Sequence, residues 1–202
     1  MSDLATFINL GFHHIVNPEA LDHILFLLAL AAVYRRQDWR DALWVITAFT
    51  VGHSITLALA VTGALVLPTP IIEFLIPLTI VVTALENIAV RARAVTPWHG
   101  RYRALFTAAF GLVHGAGFAN YLRSLFDGPI AIPLFGFNVG IELGQICVLV
   151  LTFTAFTAVD RVIAAARRSG DGRSSPVRIR AVAVSCVVLL VATRWAVQRA
   201  PW

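Results

Sequence analysis

Six apolar stretches, each about as long as a membrane-crossing helix, dominate this chain and restrict the folds open to it. A helix needs about 20 apolar residues to cross the hydrocarbon core of a bilayer. Only 13% of the 202 residues are charged, whereas a soluble domain carries roughly a quarter. We therefore predict an all-α, polytopic membrane helix bundle that forms one domain over residues 1–202. The predicted spans are residues 18–34, 41–65, 71–91, 103–126, 134–160 and 179–198.

A shorter apolar stretch, Leu4 to Val16, precedes the first predicted span. It is too short to cross a bilayer, and we predict an interfacial or re-entrant helix there. Asn17 and Pro18 follow it. They are typical of a helix start, because Asn caps free N–H groups and Pro fits the first helical turn. A new helix is therefore expected to begin at this point.

Every one of the 16 basic residues is Arg, and most of them lie in alternate loops. They cluster between the first and second, third and fourth, and fifth and sixth predicted spans. Cytoplasmic loops of membrane proteins carry an excess of basic residues. We therefore predict a bacterial-type inner membrane location with both termini outside the cytoplasm. Because these arginines flank spans, the net charge of +5 does not indicate a nucleic-acid partner.

Ionisable side chains lie inside several predicted spans, where a charged group is unfavourable by about 2.5–3.5 kcal/mol. Such groups usually pair with one another or line a polar pathway. Histidine and carboxylate side chains on separate helices predict one shared site for a divalent transition-metal ion. Imidazole suits nickel, cobalt, zinc, copper and iron, and the absence of a thiolate disfavours Cu(I). The predicted ligands are Asp22, His23, His53, His114 and Glu142.

The predicted ligands take different depths when each residue advances the helix by about 1.5 Å. His53 and His114 fall near the midplane, and His23 and Glu142 fall in the outer half. Glu86 falls in the inner half and is predicted to be the inner end of a pathway. Secondary polar positions on this pathway are predicted at Ser54, Asn138, Gln145 and His13.

Three glycines recur every four residues on the fifth predicted span, at Gly136, Gly140 and Gly144. Small residues at this spacing allow two helix backbones to approach closely. The face they form is predicted to pack either within one chain or between two copies, as in a homo-oligomer.

Five strings of the sequence together resemble the HupE/UreJ family of hydrogenase and urease accessory membrane proteins. They spread over four of the predicted spans. The strings are His14-Ile15, the segment from Asp22 to Leu28, the segment from Phe49 to Leu57, the segment from Phe110 to Ala119, and the segment from Phe137 to Gln145.

The resemblance implies a nickel or cobalt permease that serves metalloenzyme maturation. It also implies that a His followed by Asp-His in the first helix is essential for metal handling. Asp22 and His23 match this motif directly, and His14 matches it by position, so His14 joins the predicted ligands. Seven residues separate His14 from Asp22 in this chain, whereas the family pattern has five.

Two other functions remain open from the sequence. The first is an intramembrane zinc hydrolase acting on a lipid, for which Asp22, His23, His53, Ser54 and His114 supply the residue types. The second is a membrane subunit that binds a metal without transporting it. The prediction favours a transporter over an enzyme, and nickel over the other metals.

Overall fold

The computed structural model describes residues 2–18, 20–90, 101–123, 129–166 and 175–202, and the regular structure in these ranges is entirely helical. A short 3-10 helix, Arg36–Asp38, precedes the third α-helix. The prediction of an all-α bundle is confirmed. The α-helices are α1 (Ser2–Val16), α2 (Leu21–Ala31), α3 (Trp39–Val61), α4 (Thr69–Val90), α5 (Arg101–Arg123), α6 (Ala131–Ala166) and α7 (Pro176–Gln198).

Four helices in the described ranges are long and apolar enough to cross a membrane. They are α3 with its preceding 3-10 turn, α4, α6 and α7. The helix α5 falls short, because it opens on Arg101, Tyr102 and Arg103 and is rich in Ala and Gly. Residues 124–126 of the predicted span 103–126, and the arginine-rich loops 91–100 and 167–174, lie outside the described residues.

Within the first predicted span, 18–34, the structure has the short helix α2, and α1 occupies the stretch predicted as an interfacial or re-entrant helix. The helix α2 has only 11 residues and is about 16 Å long at 1.5 Å per residue. Together α1 and α2 are long and apolar enough to cross a membrane, with a 68° bend at the break between them. The chain therefore divides its first crossing at the Asn17-Pro18 break that the sequence marks.

The contacts of α1 and α2 show that the pair runs from one end of the bundle to the other. The start of α1 lies at the start of α6, where Leu4 contacts Gly136. The end of α2 lies at the start of α7, where the Arg180 guanidinium donates to the Ala32 carbonyl. Arg180 also pairs with Asp160 near the end of α6. The starts of α6 and α7 thus lie at opposite ends, and α1 packs into the bundle as half of a broken span.

The glycine face of α6 packs against α1 of the same chain. A Cβ at Gly140 would overlap the Ile8 carbonyl, and a Cβ at Gly11 would overlap the Phe137 carbonyl. A Cβ added at Gly144 would lie 2.8 Å from the Cβ of Ile15. Of the two predicted alternatives, the structure shows the contact within one chain, where α1 covers this face.

A second glycine-lined crossing joins α3 to α5. A Cβ at Gly52 would overlap the Ala108 carbonyl, and one at Gly111 would overlap the Phe49 carbonyl. A Cβ at Gly115 would overlap the carbonyl of His53 itself. Backbones in such close contact hold both helices in one register. This crossing therefore fixes the position of His53 and brings it near His114, which precedes Gly115.

Candidate metal site

The break between α1 and α2 brings the two parts of the first-helix motif together. His14 lies in the last turn of α1, and Asp22 and His23 lie in the first turn of α2. The ring centroids of His14 and His23 are 4.7 Å apart. The wider spacing between His14 and Asp22 therefore does not separate His14 from His23.

His53 of α3 completes a cluster of three imidazoles. One ring nitrogen each from His14, His23 and His53 lies within 4.8 Å of the other two. His53 is fully buried. A metal with nitrogen ligands at about 2.0–2.1 Å holds neighbouring ligand atoms about 3 Å apart. A contraction of the three rings by roughly 1–2 Å would therefore close them around one ion.

His114 of α5 flanks this cluster. Its ring centroid lies 5.3 Å from that of His23, and the residue is only 2% exposed. Its Nε2 lies 3.1 Å from the Thr79 hydroxyl of α4. Four of the six predicted ligands, all of them histidines, thus surround one point where five helices meet.

Each of these four histidines has a buried ring nitrogen without a hydrogen-bond partner among the described residues. The unpaired atoms are His14 Nε2, His23 Nε2, both ring nitrogens of His53, and His114 Nδ1. A buried polar atom without a partner is unfavourable by about 1–3 kcal/mol. Where several such nitrogens converge, a cation that accepts their lone pairs fits the arrangement.

A cavity of about 370 Å³ leads to the cluster, and His14, His23 and His114 line it. Asp22, Glu73 and Arg199 also line it and give it both signs of charge. The Arg199 guanidinium lies 3.1 Å from one Asp22 oxygen. The other Asp22 oxygen has no hydrogen-bond partner within the described ranges, so this carboxylate offers one further ligand atom at the edge of the histidine cluster.

Glu142 lies apart from the histidine cluster, in the contact between α3 and α6. The Thr47 hydroxyl donates to Glu142 Oε1 over 2.5 Å, and Oε2 is buried without a partner. One turn further along α6, Gln145 accepts a hydrogen bond of 2.9 Å from Thr50. Glu142 is two residues from Gly140 and therefore on the opposite face of α6 from the α1 contact. The structure thus separates Glu142 from His14.

Glu86 lies at the other end of the bundle from the cavity. It is 4.0 Å from the Arg103 guanidinium, which also donates to Asn87 over 3.0 Å. Glu86 follows Thr79 by seven residues, or about 10 Å along α4. It is part of an ion-pair network and does not approach the histidines.

The other secondary positions make local contacts. His13 is exposed, with its ring edge-on to Phe12. The Ser54 hydroxyl donates to the Thr50 carbonyl over 2.6 Å. The Asn138 amide donates to the Leu134 carbonyl over 2.9 Å, and its Oδ1 has no partner.

Three residues of the site were not among the predicted site residues. Glu73 and Arg199 line the cavity, and Thr79 contacts His114. Thr79 belongs to a polar stripe with Thr83 and Glu86 at helical spacing, which is a signal in the sequence. Glu73 and Arg199 lie at the ends of apolar runs, where a charge is ordinary, so the sequence carries no comparable signal for them.

The comparisons with known proteins agree with the strings that the sequence carries. A family model described as HupE / UreJ protein matches residues 1–199. No curated protein and no solved structure gives a significant match. Since the family model covers nearly the whole chain, this protein belongs to the HupE/UreJ family.

Proposed function

We propose that this protein is a permease for a divalent transition-metal ion of the nickel or cobalt type. The observation that supports the proposal most strongly is the cluster of His14, His23 and His53, whose ring nitrogens converge within 4.8 Å. Membership of the HupE/UreJ family supports the same class of cargo. Neutral imidazole is a preferred ligand for nickel, cobalt and zinc alike, so it is membership of the family that supports nickel and cobalt over zinc.

The cavity supplies a route for a hydrated ion to reach the cluster. Glu73 and Asp22 place carboxylates on its wall, and these attract a cation before its waters are removed. The histidine nitrogens then replace those waters as ligands. Because the ligands are neutral imidazoles, the ion is bound without the strong charge pairing that would hinder release.

The positive-inside pattern supports a direction for this route. The cavity lies at the end of the bundle that contains Thr69 and Arg199, beside the start of α4 and the end of α7. That end faces away from the cytoplasm when the arginine-rich loops are cytoplasmic. The proposed entry side is therefore the non-cytoplasmic one, and the proposed direction is uptake.

A lipid-directed zinc hydrolase is less well supported by the contacts. The Ser54 hydroxyl is bonded to a backbone carbonyl of its own helix, and Asp22 pairs with Arg199. The Ser54 hydroxyl is therefore not free to act as a nucleophile, and the charge of Asp22, the candidate base beside a metal-bound water, is partly neutralised. Three histidine ligands would still suit a catalytic zinc. The transport assay below therefore also detects hydrolysis of the lipid.

The test is metal uptake by purified protein in liposomes that enclose a metal-sensitive dye. Ni²⁺ or Co²⁺ is added outside, and the initial rate of dye response is compared between the original protein and His14→Ala, His23→Ala and His53→Ala variants. We expect each variant to lose most of the uptake. The matched control is His13→Ala, which removes an exposed imidazole one residue from His14.

The outcomes separate the three functions. Undiminished uptake in all three variants contradicts the proposed mechanism. Stoichiometric metal binding without uptake by the original protein indicates a binding subunit. Bound zinc without uptake, together with release of fatty acid from the liposome lipid, indicates the hydrolase.

A further inference from the structure

The hydroxyl of Thr79 lies within hydrogen-bond distance of a carbonyl oxygen and of a histidine ring nitrogen. Its Oγ1 is 2.7 Å from the Ile76 carbonyl oxygen of the same helix. The same Oγ1 is 3.1 Å from Nε2 of His114 on α5. Thr79 is 7% exposed, so water does not compete strongly for either contact.

A hydroxyl has one proton to donate and two lone pairs to accept with. The carbonyl oxygen of Ile76 has no proton, so an oxygen–oxygen distance of 2.7 Å requires the Thr79 proton to lie between the two oxygens. Thr79 can then only accept from His114. The proton of neutral His114 must therefore be on Nε2.

This assignment leaves Nδ1 of His114 with a free lone pair. Nδ1 is buried without a partner among the described residues, and its ring lies 5.3 Å from that of His23. We propose that Thr79 is a positioning residue that holds His114 as the Nε2–H tautomer, so that Nδ1 becomes a fourth nitrogen ligand for the ion bound by His14, His23 and His53.

The proposal rests on the metal site of the proposed function, but it does not require transport. A ligand histidine commonly donates its other ring N–H to an oxygen, which fixes the tautomer and the ring orientation. In this protein the oxygen belongs to α4, which provides none of the four histidines. The helix α4 thus orients a ligand that α5 provides.

The neighbouring Thr83 provides a matched control on the same helix. Its hydroxyl donates to the Thr79 carbonyl over 2.9 Å, and it is 3% exposed. No imidazole contact to this hydroxyl is found in the described part of the chain. Thr83→Val therefore removes a buried hydroxyl that, like the hydroxyl of Thr79, donates to a carbonyl of its own helix. It leaves the hydroxyl of Thr79, the proposed partner of His114, in place.

The experiment follows the tautomer directly by ¹⁵N NMR of metal-free protein labelled at histidine, in detergent micelles. The signals of His114 are assigned from their loss in His114→Gln. We expect the Nε2–H tautomer in the original protein, in Thr79→Ser and in Thr83→Val. In Thr79→Val we expect the Nδ1–H tautomer to be populated, because the acceptor for Nε2–H is gone.

The second readout is Co²⁺ binding, measured by titration and by visible absorption, which depends on the number and geometry of ligands. We expect Thr79→Val to bind Co²⁺ about 10- to 100-fold more weakly, as is typical when the oxygen partner of a ligand histidine is removed. Thr79→Ser should restore the affinity and the spectrum, and Thr83→Val should keep both.

An Nδ1–H tautomer of His114 in the original protein would overturn the proposal. So would a Thr79→Val protein with unchanged Co²⁺ affinity and spectrum. If Thr79→Val does not fold, the tautomer of His114 in the original protein and in Thr79→Ser decides. Failure of transport is distinguishable, since it would leave these tautomer and Co²⁺ results in place while contradicting the permease.

Discussion

Substitution of Gly115 by Ala tests whether the close crossing of α3 and α5 positions the histidine cluster. An added Cβ overlaps the carbonyl of His53, whereas ordinary contacts between carbon and oxygen begin at about 3.3 Å. A backbone carbonyl cannot rotate away, so the two helices must separate by about 1 Å. Overpacking of this kind is destabilising by about 1–3 kcal/mol. Replacement of a helical Gly by Ala offsets about 0.5–1 kcal/mol of that.

The assay is reversible unfolding in mixed micelles, combined with Co²⁺ titration. We expect a net loss of about 1–2 kcal/mol in the free energy of unfolding, and Co²⁺ binding weaker by about tenfold or more although no ligand is changed. The matched control is Gly117→Ala on the same helix, where the new Cβ meets the flexible Cδ1 of Ile76 at 3.0 Å. Equal stability and equal affinity in the two variants would refute the reasoning.

Three further predictions concern protons and ion pairs. Uptake should fall at acid pH, because imidazole must be neutral to bind metal; dye-loaded liposomes at several external pH values measure this. Arg180→Ala removes a side chain that is only 3% exposed and leaves its partner Asp160 unpaired. It should lower the free energy of unfolding by about 3–5 kcal/mol in mixed micelles. Arg199→Ala removes a positive charge from the cavity and frees Asp22, so Co²⁺ should bind about fivefold more tightly by titration, which corresponds to roughly 1 kcal/mol at this partly exposed position.

Most of the fold could be predicted from the sequence, because bilayer length and apolar runs limit the possible elements. The helices α3, α4, α6 and α7 overlap the predicted spans. The division of the first crossing was not predicted. A helix start was expected at Asn17-Pro18, but α2 begins at Leu21, with Ala20 at its N-cap. The residue preferences at a helix start are the same inside a bilayer and at its surface. Only the packing of α1 along α6 therefore shows that this helix start lies within a crossing.

The four histidines of the site could be identified because imidazole in an apolar helix is conspicuous. Their mutual distances could not be predicted, because helical depth along one axis says nothing about the direction of a face. Glu142 shows this limit clearly. Its predicted depth matched that of His23. In the structure its side chain contacts Thr47 of α3 and lies on the face of α6 opposite to the α1 contact.

Glu86 lies away from the histidines for a different reason. Glu86 does lie on a polar stripe of α4, but the partner of that stripe at this level is Arg103. A sequence shows that a carboxylate needs a counter-charge within a membrane, and not which charge supplies it. The arginines were predicted to flank the spans on the cytoplasmic side, and the Arg103 and Arg180 side chains are only 10% and 3% exposed.

These two buried arginines bear on the route of a cation beyond the histidines. Both lie near the end of α2, where Arg180 donates to the Tyr34 carbonyl and Arg103 lies over the Tyr34 ring. A divalent ion about 10 Å from one guanidinium is repelled by about 3 kcal/mol at an effective dielectric constant of 20. Glu86 and Asp160 neutralise part of this charge, but their oxygens are engaged with the same arginines.

The contact between α3 and α6 offers the opposite electrostatics. From His53, Thr50 lies about 4.5 Å back along α3 and Thr47 about 9 Å back. These two hydroxyls contact Gln145 and Glu142, respectively, and Glu142 retains an unpartnered oxygen. A cation that moves along this contact therefore meets oxygen ligands and a carboxylate instead of guanidinium groups. For a permease, Glu142 is thus better placed as the ligand that follows the histidines than as one that acts beside them.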